Sequence, residues 1–178
     1  MSNCSQGSVI LGIDPGLTKT GWGIINKIGD EVRYIDCGVI KTDVSSEMGQ
    51  RLAKIFNAIR DVLATYNPQS IAMEEVFVNI NPKTSEKLIM ARTAGFLAVA
   101  LSGFVIRAFR PNEIKKHITG AGHADKTLIY AMVKKMLGIE IEIDNKTKTL
   151  DSIDALAVAL CSALHTPPAE NQESELVA

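Results

Sequence analysis

Carboxylates close or interrupt three strongly apolar stretches of this chain, so a fold that buries those stretches must also provide for the charge. Asp14 ends the run from Val9 to Ile13. Glu74 and Glu75 interrupt the run from Ile71 to Phe77. Asp151 and Asp154 open a run that reaches Leu164. An ionised carboxylate in such a setting is costly unless something compensates it. Oxygen donors of this kind suit Mg²⁺, which prefers octahedral oxygen coordination and keeps several waters. Two such ions, about 4 Å apart, can clamp both the attacking and the leaving oxygen of a phosphodiester.

The rest of the pattern supplies a frame for these acids. Ser8 to Asp14 reads as a buried strand, stopped by the turn residues Asp14-Pro15-Gly16. Gly21 to Asn26 and Val32 to Ile40 read as two more strands around a hairpin turn at Ile28-Gly29-Asp30. Met48 to Tyr66 has helical spacing, with Leu52, Ile55, Phe56, Ile59, Val62 and Leu63 on one face, and Asn67-Pro68 stops it. Ser70 to Phe77 is a fourth strand. After a loop that Pro82 can end, Thr84 to Leu101 is an alanine-rich helix, and Phe104 to Phe109 is a fifth strand. Short helices follow from Pro111 to Gly120 and from Ala124 to Leu137, with Gly138 as a stop. Glu140 to Lys148 is a polar loop, and Thr149 to Leu164 is the last helix. A meander joined to strand–helix–strand crossovers predicts the α/β class, with a mixed five-stranded sheet flanked by helices. At 178 residues the chain has room for one domain with a substantial core. That domain is expected to span residues 1–166, with 167–178 a disordered acidic tail.

Other classes are disfavoured. No apolar run has the length of a membrane span; the stretch from Thr93 to Val105 is broken by Ser102 and Gly103. The first ten residues lack the pattern of a secretory signal. Cys4, Cys37 and Cys161 are widely separated and odd in number, which argues against a disulfide framework or a cysteine zinc site. The expected compartment is the reducing cytoplasm. The net charge of −1 argues against a nucleic-acid partner, but its distribution does not. Residues 83–126 hold eight Lys or Arg and three Asp or Glu, a balance of +5, and the remainder carries −6. A basic face on a near-neutral protein is compatible with this, as is an ordinary solvated surface.

If the first and fourth strands are parallel neighbours, Asp14 and the Glu74-Glu75 pair emerge near one edge of the sheet, where open sheets with parallel strands bind ligands. Alternation does not say which of the two glutamates points into the site. Asp151 and Asp154, spaced i, i+3, share one face of a helix start. Each acid also has an ordinary reading. Asp14 can be a turn acid, Asp151 and Asp154 can favour the helix dipole, and Glu75 can be a solvated neighbour.

The motifs Leu11-Gly12-Ile13-Asp14-Pro15-Gly16, Thr20-Gly21-Trp22-Gly23, Ala72-Met73-Glu74-Glu75-Val76-Phe77, Ala91-Arg92, Gly120-Ala121-Gly122 with Lys126, and Asp151 to Ala157 occur in one order. In that order and spacing the chain resembles bacterial RuvC-type Holliday-junction resolvases, from about Ile10 to Leu164. The resemblance implies a ribonuclease H-like fold. It also implies that Asp14, Glu74, Asp151 and Asp154 form a catalytic tetrad holding two Mg²⁺ ions per subunit, or Mn²⁺ in their place. Glu74 is chosen over Glu75 by this match alone. Phe77 matches an aromatic residue that stacks on opened bases, though by itself it reads as a core Phe. Lys115 and Lys126 match basic residues that contact DNA phosphates, though each also reads as a solvated helix face. The implied substrate is four-way junction DNA, cut by paired hydrolysis that leaves 5′-phosphate and 3′-hydroxyl ends. The implied partners are a second copy, packed across the helix from Thr84 to Leu101, and a RuvA–RuvB branch-migration complex. His117 and His123 receive no role.

Three other readings compete. Gly12-Ile13-Asp14-Pro15-Gly16 is also similar to a phosphate loop of actin-like ATPases, but those need about twice this length and a second loop that is missing here. An RNA-processing nuclease of the same fold is a nearer rival. A junction-binding module without catalysis would leave four carboxylates to repel one another.

Overall fold

The computed structural model describes residues 7–76, 82–140 and 150–165. Strands β1 (Ser8–Asp14), β2 (Lys19–Ile28) and β3 (Glu31–Lys41) form an antiparallel meander. Gly29, at φ 60°, takes the left-handed conformation that the tight β2–β3 turn requires. Helix α1 (Met48–Tyr66) ends on Asn67, whose left-handed backbone lets its N–H donate to Leu63 O. Strand β4 (Ser70–Glu74) returns beside β1, parallel to it. Helix α2 (Pro82–Leu101) crosses to β5 (Ile106–Phe109), parallel to β4. Helices α3 (Pro111–Thr119), α4 (Lys126–Leu137) and α5 (Leu150–Leu164) complete the order, and the sheet runs β3-β2-β1-β4-β5.

Side-chain alternation divides the core into two layers. Leu11, Ile13, Ile71 and Met73 face α1 and α2, packing with Ile55, Ile59, Ala94 and Ala98. Ile10, Ala72 and Phe109 face the opposite way, toward Leu156, Leu160 and Ile129. Helix α5 is buried on nearly every side, from Ser152 to Ala163. Small residues allow this. A β-carbon on Gly12 would stand 2.1 Å from Ala155 O, and one on Gly21 would stand 2.0 Å from Asp151 O. Strand and helix backbones are therefore in direct contact at these two points.

The α/β class, the five strands and the mixed pairing agree with the sequence reading. Several boundaries differ by one to three residues, and three of them have a clear cause. The fourth strand stops at Glu74 rather than Phe77, because β1 ends at Asp14 and the β5 ladder ends at Phe109; Glu75 N makes one last bond to Phe109 O. The fifth strand starts at Ile106 rather than Phe104. Gly103, at φ 82°, and the Phe104 N–H to Val99 O bond use the preceding residues as a turn. Helix α4 starts at Lys126 rather than Ala124, since Asp125 caps it by accepting from Leu128 N. Residues 141–148 of the polar loop, Thr149 and the 167–178 tail lie outside the described residues. Among the described residues no helix is long and apolar enough to cross a membrane.

Candidate active site

The parallel register sets Ile13 opposite Met73, so Asp14 and Glu74 follow as neighbours at the same sheet edge. Their faces follow from the same alternation. Gly12 and Ala72 touch the α5 layer, so the residues two further on, Asp14 and Glu74, point there as well. Strand geometry thus distinguishes Glu74 from Glu75, as the resemblance did and alternation in the sequence did not. Glu75 turns to the Arg110 side chain, Oε2 to Nε 3.4 Å. The turn after Asp14 is closed by Thr20, whose hydroxyl donates to Gly16 O at 2.7 Å.

The first turn of α5 comes over this edge because Gly21 lets its backbone down onto β2. Asp154 joins Asp14, Glu74, Lys115, Lys126 and Ile129 around a cleft of about 250 Å³. Lys126 Nζ donates to Asp154 Oδ2 at 3.2 Å, and the Tyr130 hydroxyl lies 3.5 Å from the same oxygen. Asp151 is one turn out of the cleft, with Lys19 Nζ 3.8 Å from its Oδ2. Lys19 and Tyr130 were not singled out in the sequence. Tyr130 had a local signal, one helical turn from Lys126 on the same face. Lys19 had none, because Asp151 is distant along the chain.

Burial, and then the charges of Glu74, Asp154 and Asp151, hold the Asp14 carboxyl well above the usual carboxylate range; Lys126 opposes them. Glu74 is pushed up to about 7 by burial and by Asp154, with Lys126 and Lys115 pulling the other way. Asp154 is also raised by burial, against the lowering effect of Lys126. Burial first, and neighbouring acids second, disfavour the anionic forms of Asp14, Glu74 and Asp154, a strain that a bound cation would relieve.

The donor set consists of carboxylate oxygens, which fits a hard divalent cation rather than a soft one. Among the described residues, no three acidic, histidine or cysteine side chains stand close enough to hold an ion without moving. Asp151 and Asp154 lean instead on Lys19 and Lys126, so cation binding requires these ammonium groups to give way. Both lysines are about half exposed or more, and such pairs are weak, so the adjustment is small. Phe77 lies outside the described residues. His117 donates from Nδ1 to Glu113 O at 2.9 Å, His123 is exposed, and neither lines the cleft. Lys116 is exposed.

Comparison with known proteins gives consistent matches. Residues 10–162 match the family described as crossover junction endodeoxyribonuclease RuvC. The chain is 44% identical over 156 residues to the protein of that name from Ehrlichia canis, covering 86% of this chain and 95% of that one. It is 42% identical to the Rhodopseudomonas palustris BisB18 protein, covering 88% and 86%. Among solved structures, Thermus thermophilus RuvC in complex with a Holliday junction substrate superposes with a TM-score of 0.80 at 30% identity, over 88% of this chain and 93% of that chain. The yeast mitochondrial Holliday junction resolvase Ydc2, at 13% identity and a TM-score of 0.64, shares the fold.

Proposed function

The chain belongs to the crossover junction endodeoxyribonuclease RuvC family, with a ribonuclease H-like fold, and from this membership we propose that it resolves four-way DNA junctions by phosphodiester hydrolysis. The family is one of metal-dependent nucleases. The reading assigns Asp14, Glu74, Asp151 and Asp154 to two Mg²⁺ ions, with Mn²⁺ as a substitute. When bound, such ions supply Lewis acidity for water activation and for the leaving oxygen.

The side chains divide the remaining work. Asp14, between Glu74 and Asp154, would be the central residue of the set that holds the ions, and its raised proton affinity would make loading sensitive to pH. Lys126, released from Asp154, offsets charge that develops on the scissile phosphate. Lys115, which lines the same cleft, holds the phosphate as well. Phe77 stacks on bases opened near the junction centre. Hydrolysis leaves a 5′-phosphate and a 3′-hydroxyl.

The working unit is a homodimer across α2. Support comes from the exposed apolar side chains Ile89, Phe96, Leu97 and Leu101 on that helix, while Ala91, Ala94 and Ala98 are used in the chain's own core. Gly95 packs against Met73 of the same chain and is neutral on this point. Two symmetric sites would cut two strands of like polarity. The protein acts in the cytoplasm, in recombination and repair, with a RuvA–RuvB motor delivering the junction.

The observation that carries this reading is the emergence of Asp14 and Glu74 from adjacent parallel strands beneath Asp154 and Lys126. The test compares a mobile four-way junction, a linear duplex and structured RNA, each with Mg²⁺ and with chelator. Paired nicks in the junction alone, dependent on Mg²⁺, are expected. Equal cleavage of duplex or RNA, or cleavage in chelator, would overturn it.

A further inference from the structure

A trough leads away from the acidic cleft. That cleft shares Asp14, Glu74 and Pro111 with a second hollow of about 290 Å³, which extends past Glu75 to Leu88. Leu88 also borders a third hollow of about 350 Å³, walled by Leu17, Thr18, Val44, Arg51 and Lys87. The three hollows adjoin in turn, with Leu88 between the last two, so the trough they outline is acidic at one end and basic at the other.

The basic end is built around a buried cation. Arg51 is only 8% exposed. Its Nε donates to Thr42 Oγ1 at 2.9 Å, and its Nη2 lies 3.4 Å from Leu17 O and 3.3 Å from Thr18 Oγ1. All three acceptors are neutral. Among the described residues Arg51 makes no ion pair, and neither does the exposed Lys87 beside it. The acid that feels Arg51 is Asp43, which is solvent-exposed and bonded to Ser45. Buried arginines are ordinarily paired with an anion, and among the described residues none pairs with this one.

We propose that Arg51, Lys87 and the Thr18 hydroxyl form a phosphate subsite. It takes a backbone phosphodiester of the strand being cut, several nucleotides from the scissile bond. A guanidinium fixed by three oxygen acceptors is pre-oriented for a phosphate, and a flexible ammonium closes over it. The subsite rests on the nuclease reading and deepens it. It fixes the register of the strand through the trough, while Lys115 and Lys126 act at the cut.

The test uses the full chain and a four-way junction in chelator, so that binding is read without cleavage. Lys87→Gln, on the surface, avoids the folding risk of changing Arg51. It should weaken junction binding and lower the slope of log affinity against log salt by about one. Lys87→Arg should restore both. Single methylphosphonates, placed along the strand to be nicked, locate the contact. One position away from the cut should weaken the parent but not Lys87→Gln. The subsite is overturned if Lys87→Gln keeps parental affinity and slope, or if its loss is the same whichever phosphate is neutralised. Failure of the parent to bind the junction would instead remove the nuclease reading.

Discussion

The backbone oxygen of Asp151 stands 2.0 Å from where a β-carbon on Gly21 would lie. The height of α5 above the sheet is thus set by a hydrogen atom, and with it the reach of Asp154 into the cleft beside Asp14. The active-site geometry is a packing result before it is an electrostatic one.

Gly21→Ala forces that oxygen, and the helix start with it, away from β2. Overpacking of this kind costs about 1–3 kcal/mol. Denaturant unfolding should show a loss of that order, with cleavage falling further than the folded fraction accounts for. Cleavage proportional to folded protein would mean that the helix height does not govern the site.

Asp14→Asn should bind junctions in gel-shift assays and fail to cut them, because the central carboxylate of the proposed metal set is gone and the phosphate contacts remain. Lys126→Ala should cut about a hundredfold more slowly at saturating Mg²⁺, the scale of losing one charge-stabilising donor. Parental rates for either variant would remove that residue from the mechanism.

Glu74, held at about 7 against an ordinary 4.5, makes the metal-free protein pH-sensitive. A raised folded-state value means that folding favours the protonated acid. Its contribution to stability is full below pH 4.5 and is lost as pH rises to about 7. Asp14, also raised, acts in the same direction. Thermal melts in chelator should therefore show stability falling over this window, and Glu74→Gln should flatten the fall. Mg²⁺ should raise the melting temperature most above pH 7, where protons no longer compete. A metal effect independent of pH would contradict the assignment of Glu74.

The groove between α1 and α2, lined by Leu52, Phe56, Ile89, Met90, Ala94 and Leu97, holds about 530 Å³ open to solvent. Leu97→Glu places a charge on it. Sedimentation should show the parent as a dimer and the variant as a monomer, with paired nicking replaced by single nicks. A dimeric variant would put the interface elsewhere.

Local signals made much of this fold legible. Asp14-Pro15-Gly16 and Asn67-Pro68 fall where apolar periodicity also stops, so β1 and α1 run as the sequence reads. Gly120 and Gly138 end α3 and α4 because each takes a left-handed φ. Hidden in the sequence were relations between distant residues. Gly12 and Gly21 gave no sign that α5 would rest on them, and Lys19 gave no sign of Asp151. Apart from the resemblance, Glu74 could be separated from Glu75 only once Ala72 was known to face α5. The end of β4 depended on where its neighbours stopped, which its own residues do not encode.

The central claim is that Asp14, Glu74, Asp151 and Asp154 together hold divalent cations. Anomalous diffraction from crystals soaked in Mn²⁺ tests it most directly. The account predicts two peaks in the cleft, both within coordinating distance of Asp14, with Lys19 and Lys126 turned away from their aspartates. A cleft without peaks, or a peak that Asp14 does not touch, would contradict it.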